Sequence, residues 1–116
     1  IGDTSKITNY NRTFYWRICL ETIDCEFDFS SATNVGSMLT YCYALKEVRF
    51  KPNTLSSSIS VAQSNLLSAD SRQSIADGLA DLTGQTAQTL QVHSDVFDLF
   101  TDEQIATIYA KNWKVS

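Results

Sequence analysis

The chain lacks the segments that mark several common classes of protein. No apolar run approaches the roughly 20 residues needed to cross a bilayer, and no segment has the pattern of a secretory signal peptide. Lys and Arg are scattered rather than concentrated as phosphate binding requires, and the net charge is −4. The sequence therefore argues against membrane insertion and against nucleic acid as a partner.

Cysteine and histidine are also scarce. The three cysteines, Cys19, Cys25 and Cys42, are odd in number and show no pairing pattern, so they make a poor disulfide framework. We interpret them as buried small side chains, with a disulfide as the alternative. The single histidine, His93, lies far from all three, which disfavours a zinc site. No metal and no cofactor is predicted.

Catalytic chemistry finds little support. His93 has neither a nucleophile nor an orienting acid placed near it by any motif, so a surface histidine is favoured over a general base. Asp95, Asp98, Asp102 and Glu103 could attract a cation, but a calcium loop needs a glycine turn that is missing here. We interpret the acids as a solvated face at helix starts, and we expect a non-enzymatic protein with no catalytic residues.

What the chain does have is an internal repeat. With 43% hydrophobic and 11% aromatic residues, its 116 residues are enough for one folded domain. An offset of 25 residues, the distance from Leu20 to Leu45, aligns two copies. The identical pairs are Asp3/Asp28, Ser5/Ser30, Thr8/Thr33, Asn9/Asn34 and Leu20/Leu45. Apolar character is kept at Ile23/Val48 and Cys25/Phe50.

The conserved spacing of these apolar residues is that of a leucine-rich repeat, L-x-x-L-x-L. It occurs at residues 20–25 and 45–50, and again at 87–92 and 110–115. We expect these segments to form one ladder of parallel strands, each burying its apolar edge on the next. Residues 56–67 would supply a degenerate copy, with Ile59 and Val61 in the core and Leu67 in the place of Leu20 and Leu45.

Helical patterns begin after Leu67. Ser68 is a suitable N-cap for a helix over residues 69–82, with Ile75, Leu79 and Leu82 on one face and Gly84 as its stop. Gly78 inside this helix costs about 1 kcal/mol relative to Ala, so close packing is expected there.

A second helix should start near Thr101, because residues 101–104 have the form of a capping box that ends at Gln104. Its predicted apolar stripe is Ile105, Ile108 and Tyr109. Val96, Leu99 and Phe100 predict a short helical turn before it, and Lys111 and Asn112 suit its exit.

These patterns together predict an α/β fold. The expected architecture is an irregular leucine-rich-repeat solenoid with a parallel strand ladder and a helical C-terminal cap. Residues 1–116 would form a single domain, with degenerate repeats over 1–67 and a helix-strand-helix-strand cap over 68–116. The absence of a cap before residue 9 and the initial Ile1 lead us to expect a fragment of a longer chain, with further repeats before it.

Residues 32–48 resemble the repeats of BspA-like leucine-rich-repeat proteins. Those repeats typically read N-(V/M)-x-x-M-F-x-x-C-x-x-L-x-x-(I/V), which Met38, Cys42, Leu45 and Val48 match, while Leu39 replaces the Phe. Residues 78–84, 102–107 and 111–113 resemble the C-terminal end of such proteins from gut Firmicutes and their phages. The resemblance implies a secreted, surface-attached or phage-borne protein that binds other molecules.

Two candidate binding surfaces follow from the repeat. The outward strand positions, which could equally be a solvated sheet face, are Glu21, Thr22, Asp24, Lys46, Glu47, Arg49, Gln88, Thr89 and Gln91. The second surface is the aromatic patch, defined as Tyr15, Trp16, Tyr41 and Tyr43, expected near the convex side. Its rings either pack between repeats or bind a protein or glycan.

We therefore expect an extracellular or cell-surface module that mediates adhesion by binding a protein or glycan. The alternative is a structural, tail-associated component of a phage or prophage, located in the virion.

Overall fold

The computed structural model describes residues 4–116, so the predicted match of Asp3 with Asp28 lies outside the described residues. The elements in chain order are β1 (Thr22–Phe27), β2 (Glu47–Phe50), β3 (Ile59–Ser60), α1 (Ala69–Gly78), β4 (Thr89–Gln91), α2 (Ser94–Phe97), α3 (Asp102–Ala110) and β5 (Lys114–Val115). All of the strand pairs among them are parallel. The predicted α/β class with short parallel strands is confirmed.

The strands form two sheets, and the prediction of one ladder is wrong. Strand β1 pairs with β2, whereas β4 lies between β3 and β5 in a separate sheet. Leu90 pairs with Ile59 and Val115 rather than continuing the β1–β2 sheet. The L-x-x-L-x-L spacing misled the alignment because it marks any short extended stretch with one buried face, and the chain has such stretches in both sheets.

The offset of 25 residues is confirmed over much of the first two copies. Asn9 forms a parallel bridge with Asn34, and Thr22 pairs with Glu47. Further along, β1 contains two extra residues, so that Phe27 pairs with Phe50. The predicted equivalence of Cys25 with Phe50 is therefore wrong, because the irregularity shifts the register from 25 to 23 residues.

The core lies against the inner faces of these strands. Alternation along β1 buries Ile23, Cys25 and Phe27 and exposes the residues between them. Phe27 and Phe29 stack with ring centroids 5.7 Å apart, and Tyr10 meets Phe29 edge-on at 5.2 Å. In the degenerate copy, the structure buries Ile59, Val61 and Leu67 as predicted.

Helix α1 covers the edge of β2. The Ser71 hydroxyl accepts a hydrogen bond from the Val48 N–H (3.0 Å), and the Ser74 hydroxyl accepts one from the Phe50 N–H (2.9 Å). Ser71 also donates to the carbonyl oxygen of Lys46 (2.9 Å). Side-chain hydroxyls of a helix thus satisfy backbone groups that a neighbouring strand would otherwise bond.

The predicted start of α1 is confirmed, but its predicted end is wrong. The Ser68 hydroxyl accepts from the Ser71 N–H as an N-cap, whereas the helix ends at Gly78 and not at residue 82. A Cβ on Gly78 would lie 2.5 Å from the Cβ of Phe50, which confirms the expected close packing. Leu79 then continues as extended chain and bridges to Leu55. Gly84, with φ at +79°, belongs to a later turn.

The second predicted helix is confirmed as α3, with the full capping box between Thr101 and Gln104. Two details of its buried face differ. Tyr109 is exposed, while Gln104 is buried because its side-chain nitrogen donates to Gln73 Oε1 on α1 (2.9 Å). In the preceding short helix region, Leu99 is exposed rather than buried.

The exit from α3 ties it back to α1. Lys111 follows the last turn, and its Nζ donates to the carbonyl oxygens of Ala76 and Asp77, near the end of α1. Partial burial lowers the pKa of Lys111 below its ordinary value. Asn112 adopts the left-handed conformation that a short amide side chain tolerates (φ 65°).

Candidate binding surfaces

The nine outward strand positions do not form one surface. Glu21, Thr22, Asp24, Lys46, Glu47 and Arg49 lie on or beside the β1–β2 sheet, whereas Gln88, Thr89 and Gln91 lie on or beside β4 in the other sheet. The prediction of a single recognition face is wrong because it depended on one continuous ladder. Each group has to be assessed separately.

On the β1–β2 sheet, the charges are paired with one another. Lys46 Nζ lies 2.9 Å from Glu21 Oε1, and Arg49 Nη2 lies 3.3 Å from Asp24 Oδ1. The hydrogen bond and charge of Lys46 lower the pKa of Glu21, and Glu21 raises the pKa of Lys46 by the same two effects. A face whose opposite charges neutralise each other presents little net charge to a ligand.

Glu47 is engaged in a third contact on this sheet. Its Oε2 accepts a hydrogen bond from the Ser68 hydroxyl (2.9 Å) at the start of α1. Glu47 therefore helps to join the helix to the strand. This contact favours a structural role over a ligand-binding one.

Beside β4, the outward side chains border a shallow open groove. Its walls are Gly36, Ser58, Ile59, Ser60, Thr89, Gln91 and Ser116. Gln88 is committed to the fold, since its Oε1 accepts from both the N–H and the hydroxyl of Ser58 (3.1 and 2.9 Å). The groove contains no charged side chain and no large ring among its lining residues, so it offers a ligand little to grip.

The aromatic patch is a continuous group of rings. The Trp16 and Tyr41 ring centroids are 4.5 Å apart, Tyr15 and Tyr41 are 5.6 Å apart, and Tyr41 and Tyr43 are 6.1 Å apart. Trp16 remains 57% exposed and Tyr43 50% exposed. The structure brings all four predicted rings together, so they contact each other across the two copies and still face solvent.

Two of these rings are carried by strained backbone. Trp16 has φ at 67° and Tyr41 has φ at 62°, in the left-handed region that Gly and Asn adopt most easily. Their turns are aligned, since the Trp16 N–H donates to the Thr40 carbonyl oxygen (3.0 Å). A bulky residue in this conformation costs on the order of 1–3 kcal/mol, and such strain occurs preferentially at functional sites.

A second exposed apolar feature was not predicted. Ile18, Tyr43 and Leu66, each about half exposed, occupy the turns that precede Leu20, Leu45 and Leu67. The offset of 25 between Ile18 and Tyr43 was available from the repeat alignment. Exposure was the missing information, because an apolar residue in a turn reads equally well as a core residue.

The cysteines are free in the structure. Cys25 and Cys42 are buried, as interpreted from the sequence, but Cys19 is exposed, so the prediction for it is wrong. Cys19 lies in a turn, between the exposed Ile18 and the start of the first strand segment. Burial raises the pKa of the Cys42 thiol, against opposing effects of the Arg17 N–H and charge, which keeps that thiol protonated and unreactive.

His93 and the acidic run are placed as surface features. The His93 Nδ1 accepts from the Asp95 N–H (3.1 Å) and caps α2. Asp95 lies in the first turn of α2, while Asp102 and Glu103 lie in the first turn of α3, where the helix dipole favours acids. Asp98 ends α2. Within residues 4–116, no group of three or more potential ligand side chains is arranged to hold a metal ion.

No protein-family model, no curated protein and no solved structure matches the chain. The resemblance to BspA-like repeats therefore stays a prediction based on the residues quoted above. No helix in the described part of the chain is long and apolar enough to cross a membrane.

Proposed function

We propose that this chain is a non-enzymatic leucine-rich-repeat module of a bacterial surface or secreted protein, which mediates adhesion by binding a protein or glycan. In this proposal, residues 1–67 form irregular repeats and residues 68–116 form the helical cap. The aromatic patch is the binding site.

The repeat architecture is supported by contacts between equivalent residues of successive copies. Asn9 and Thr22 meet their partners Asn34 and Glu47 at the offset found in the sequence. Helix α1 then takes the place beside β2 that a further strand would occupy. A terminal unit of a repeat protein needs such a change of outer surface, because another identical strand would leave its own edge open.

The observation that carries the proposal is the exposed, strained pair Trp16 and Tyr41. Folding alone would favour Gly or Asn in these left-handed turns. Large rings here gain only partial burial, since Trp16 is more than half exposed. Aromatic side chains supply much of the binding energy in recognition sites, so a binding function accounts for both the exposure and the strain.

The test is a binding screen of the full chain on glycan and host-protein arrays. The key variant is Trp16→Asn with Tyr41→Asn, because Asn removes the rings yet tolerates the left-handed backbone. Relief of about 1–3 kcal/mol of strain per residue offsets lost ring contacts worth about 0.5–1.5 kcal/mol each. We therefore expect the variant to stay folded with near-normal stability while its array signal disappears.

The matched control is Asp24→Asn with Arg49→Gln, which disrupts the rival β1–β2 face without changing the net charge. This control should bind as the wild type does. If it loses binding while the ring variant retains it, the strand face is the site and the patch proposal is wrong. A wild-type chain that binds nothing on either array would contradict adhesion and favour the virion component.

A further inference from the structure

The charges of this acidic chain are unevenly distributed around the aromatic patch. Although the net charge is −4, residues 4–20, 29–46 and 48–69 contain no Asp or Glu. All four rings of the patch belong to these acid-free segments. The acids lie instead in the β1–β2 sheet region and in the C-terminal helical part.

Two arginines lie beside the rings. The Arg12 guanidinium carbon is 5.2 Å from the centroid of the Tyr15 ring. Arg17 follows Trp16 directly and lines a shallow depression together with Ile18, Cys19 and Leu20. Both arginines are exposed, and the patch is therefore bordered by positive charge on an acidic protein.

These arginines differ from the other cations of the repeat region. Lys46, Arg49 and Lys51 each lie within 4 Å of a carboxylate, at 2.9, 3.3 and 3.6 Å. Among the described residues, neither Arg12 nor Arg17 has a carboxylate partner. Two exposed guanidinium groups without an anion are available to bind one from outside the chain.

We infer that the aromatic patch binds a polysaccharide that carries carboxylate groups. This inference rests on the proposed binding function and specifies its ligand. The apolar faces of sugar rings would stack on Trp16, Tyr41 and Tyr43, while Arg12 and Arg17 would bind the carboxylates. Ring steps of 4.5 and 6.1 Å suit successive sugar units of an extended chain.

A polysaccharide fits this surface better than a folded protein does. Protein recognition concentrates its energy in well-packed pockets that exclude water. Here the rings are half exposed, and the depression beside Trp16 is open. Stacking on a flat face and pairing with a guanidinium require no deep pocket, so the shallow geometry favours a flexible, charged sugar chain.

The experiment measures affinity for polygalacturonate, with neutral β-1,4-galactan as the uncharged comparison, by calorimetry or biolayer interferometry. The variants are Arg12→Gln with Arg17→Gln, and Trp16→Asn with Tyr41→Asn. The control, Lys51→Gln with Lys114→Gln, removes the same two positive charges elsewhere. We expect each patch variant to lose about tenfold or more in affinity, and added salt to weaken wild-type binding.

The outcomes separate this inference from the proposed function. Control binding within about twofold of wild type, with both patch variants weakened, supports it. Equal binding of the neutral galactan, or an arginine variant that binds normally, overturns the carboxylate specificity while leaving a glycan site. Ring-dependent binding of a protein but of neither polysaccharide overturns the ligand class only. Absence of any ring-dependent binding on the arrays overturns the proposed function itself.

Discussion

Replacement of Gly78 by Ala should destabilise the fold, although the same change in an exposed helix would stabilise it. Gly78 is the last residue of α1 and packs against Phe50 on β2. The new Cβ would lie 2.5 Å from the Phe50 Cβ, and 3.1 and 3.2 Å from two atoms of its ring. Carbon atoms in contact normally lie about 3.5–4.0 Å apart. Both Cβ atoms are fixed to backbone, so the helix must move away from the strand.

The magnitude follows from three opposing effects. Gly→Ala contributes about 1 kcal/mol of helix stability, whereas overpacking costs about 1–3 kcal/mol. Movement of the helix would also weaken the bond from the Phe50 N–H to Ser74, and such a bond contributes about 1 kcal/mol. We expect a net loss of about 2 kcal/mol in the free energy of unfolding.

The assay is equilibrium unfolding in urea, followed by far-ultraviolet circular dichroism. The matched control is Gly36→Ala, whose added Cβ would meet only the Asn34 Oδ1 at 3.7 Å. Gly36 should tolerate the change or gain about 0.4–1 kcal/mol, because Ala restricts the unfolded chain. Equal midpoints for Gly78→Ala and Gly36→Ala would refute the close approach of α1 to β2.

Two further perturbations test contacts elsewhere in the fold. Ser71→Ala removes the acceptor of the buried Val48 N–H and should cost about 1–3 kcal/mol; exposed Ser31→Ala is the control, and equal unfolding midpoints would contradict the bond. The Ser30 hydroxyl and N–H, then partial contact with Lys51, hold the pKa of Asp28 below its ordinary 3.8. This stability is present above that value and is lost as the pH falls through the depressed pKa, so Asp28→Asn should flatten the fall in urea midpoint between about pH 5 and about pH 2. Parallel profiles for wild type and variant would rule out that contribution.

Local features of this fold could be predicted from the sequence, and tertiary ones could not. The caps at Ser68 and Thr101 depend only on residues within one helical turn, and both are confirmed. The end of α1 depends on how near Phe50 lies to Gly78, which no local pattern encodes. The sequence could indicate crowding at Gly78 but not that the helix would end there.

The strand arrangement shows the limit of periodicity. The spacing around Leu90 equals that around Ile23, yet the two segments belong to different sheets. Alternation of apolar residues identifies which side chains are buried, and it does not identify the partner strand. The two extra residues in β1 are equally silent in the sequence, because the alternation continues through them.

The candidate site was partly accessible in the same way. Repeat alignment placed Trp16 and Tyr41 at equivalent positions, and the structure brings their rings into contact. Their left-handed backbone could not be foreseen, since residue type argues against it. The lack of carboxylate partners for Arg12 and Arg17 also emerges only when the chain is folded.

The serines of α1 have a consequence for solubility. A free strand edge is a template on which another chain can add a strand, and β2 ends in alternating apolar residues that would suit such growth. Ser71 and Ser74 occupy the N–H groups of Val48 and Phe50, so this edge accepts no intermolecular strand while α1 stays in place. Detachment of this helix, rather than complete unfolding, would be sufficient to begin aggregation through β2.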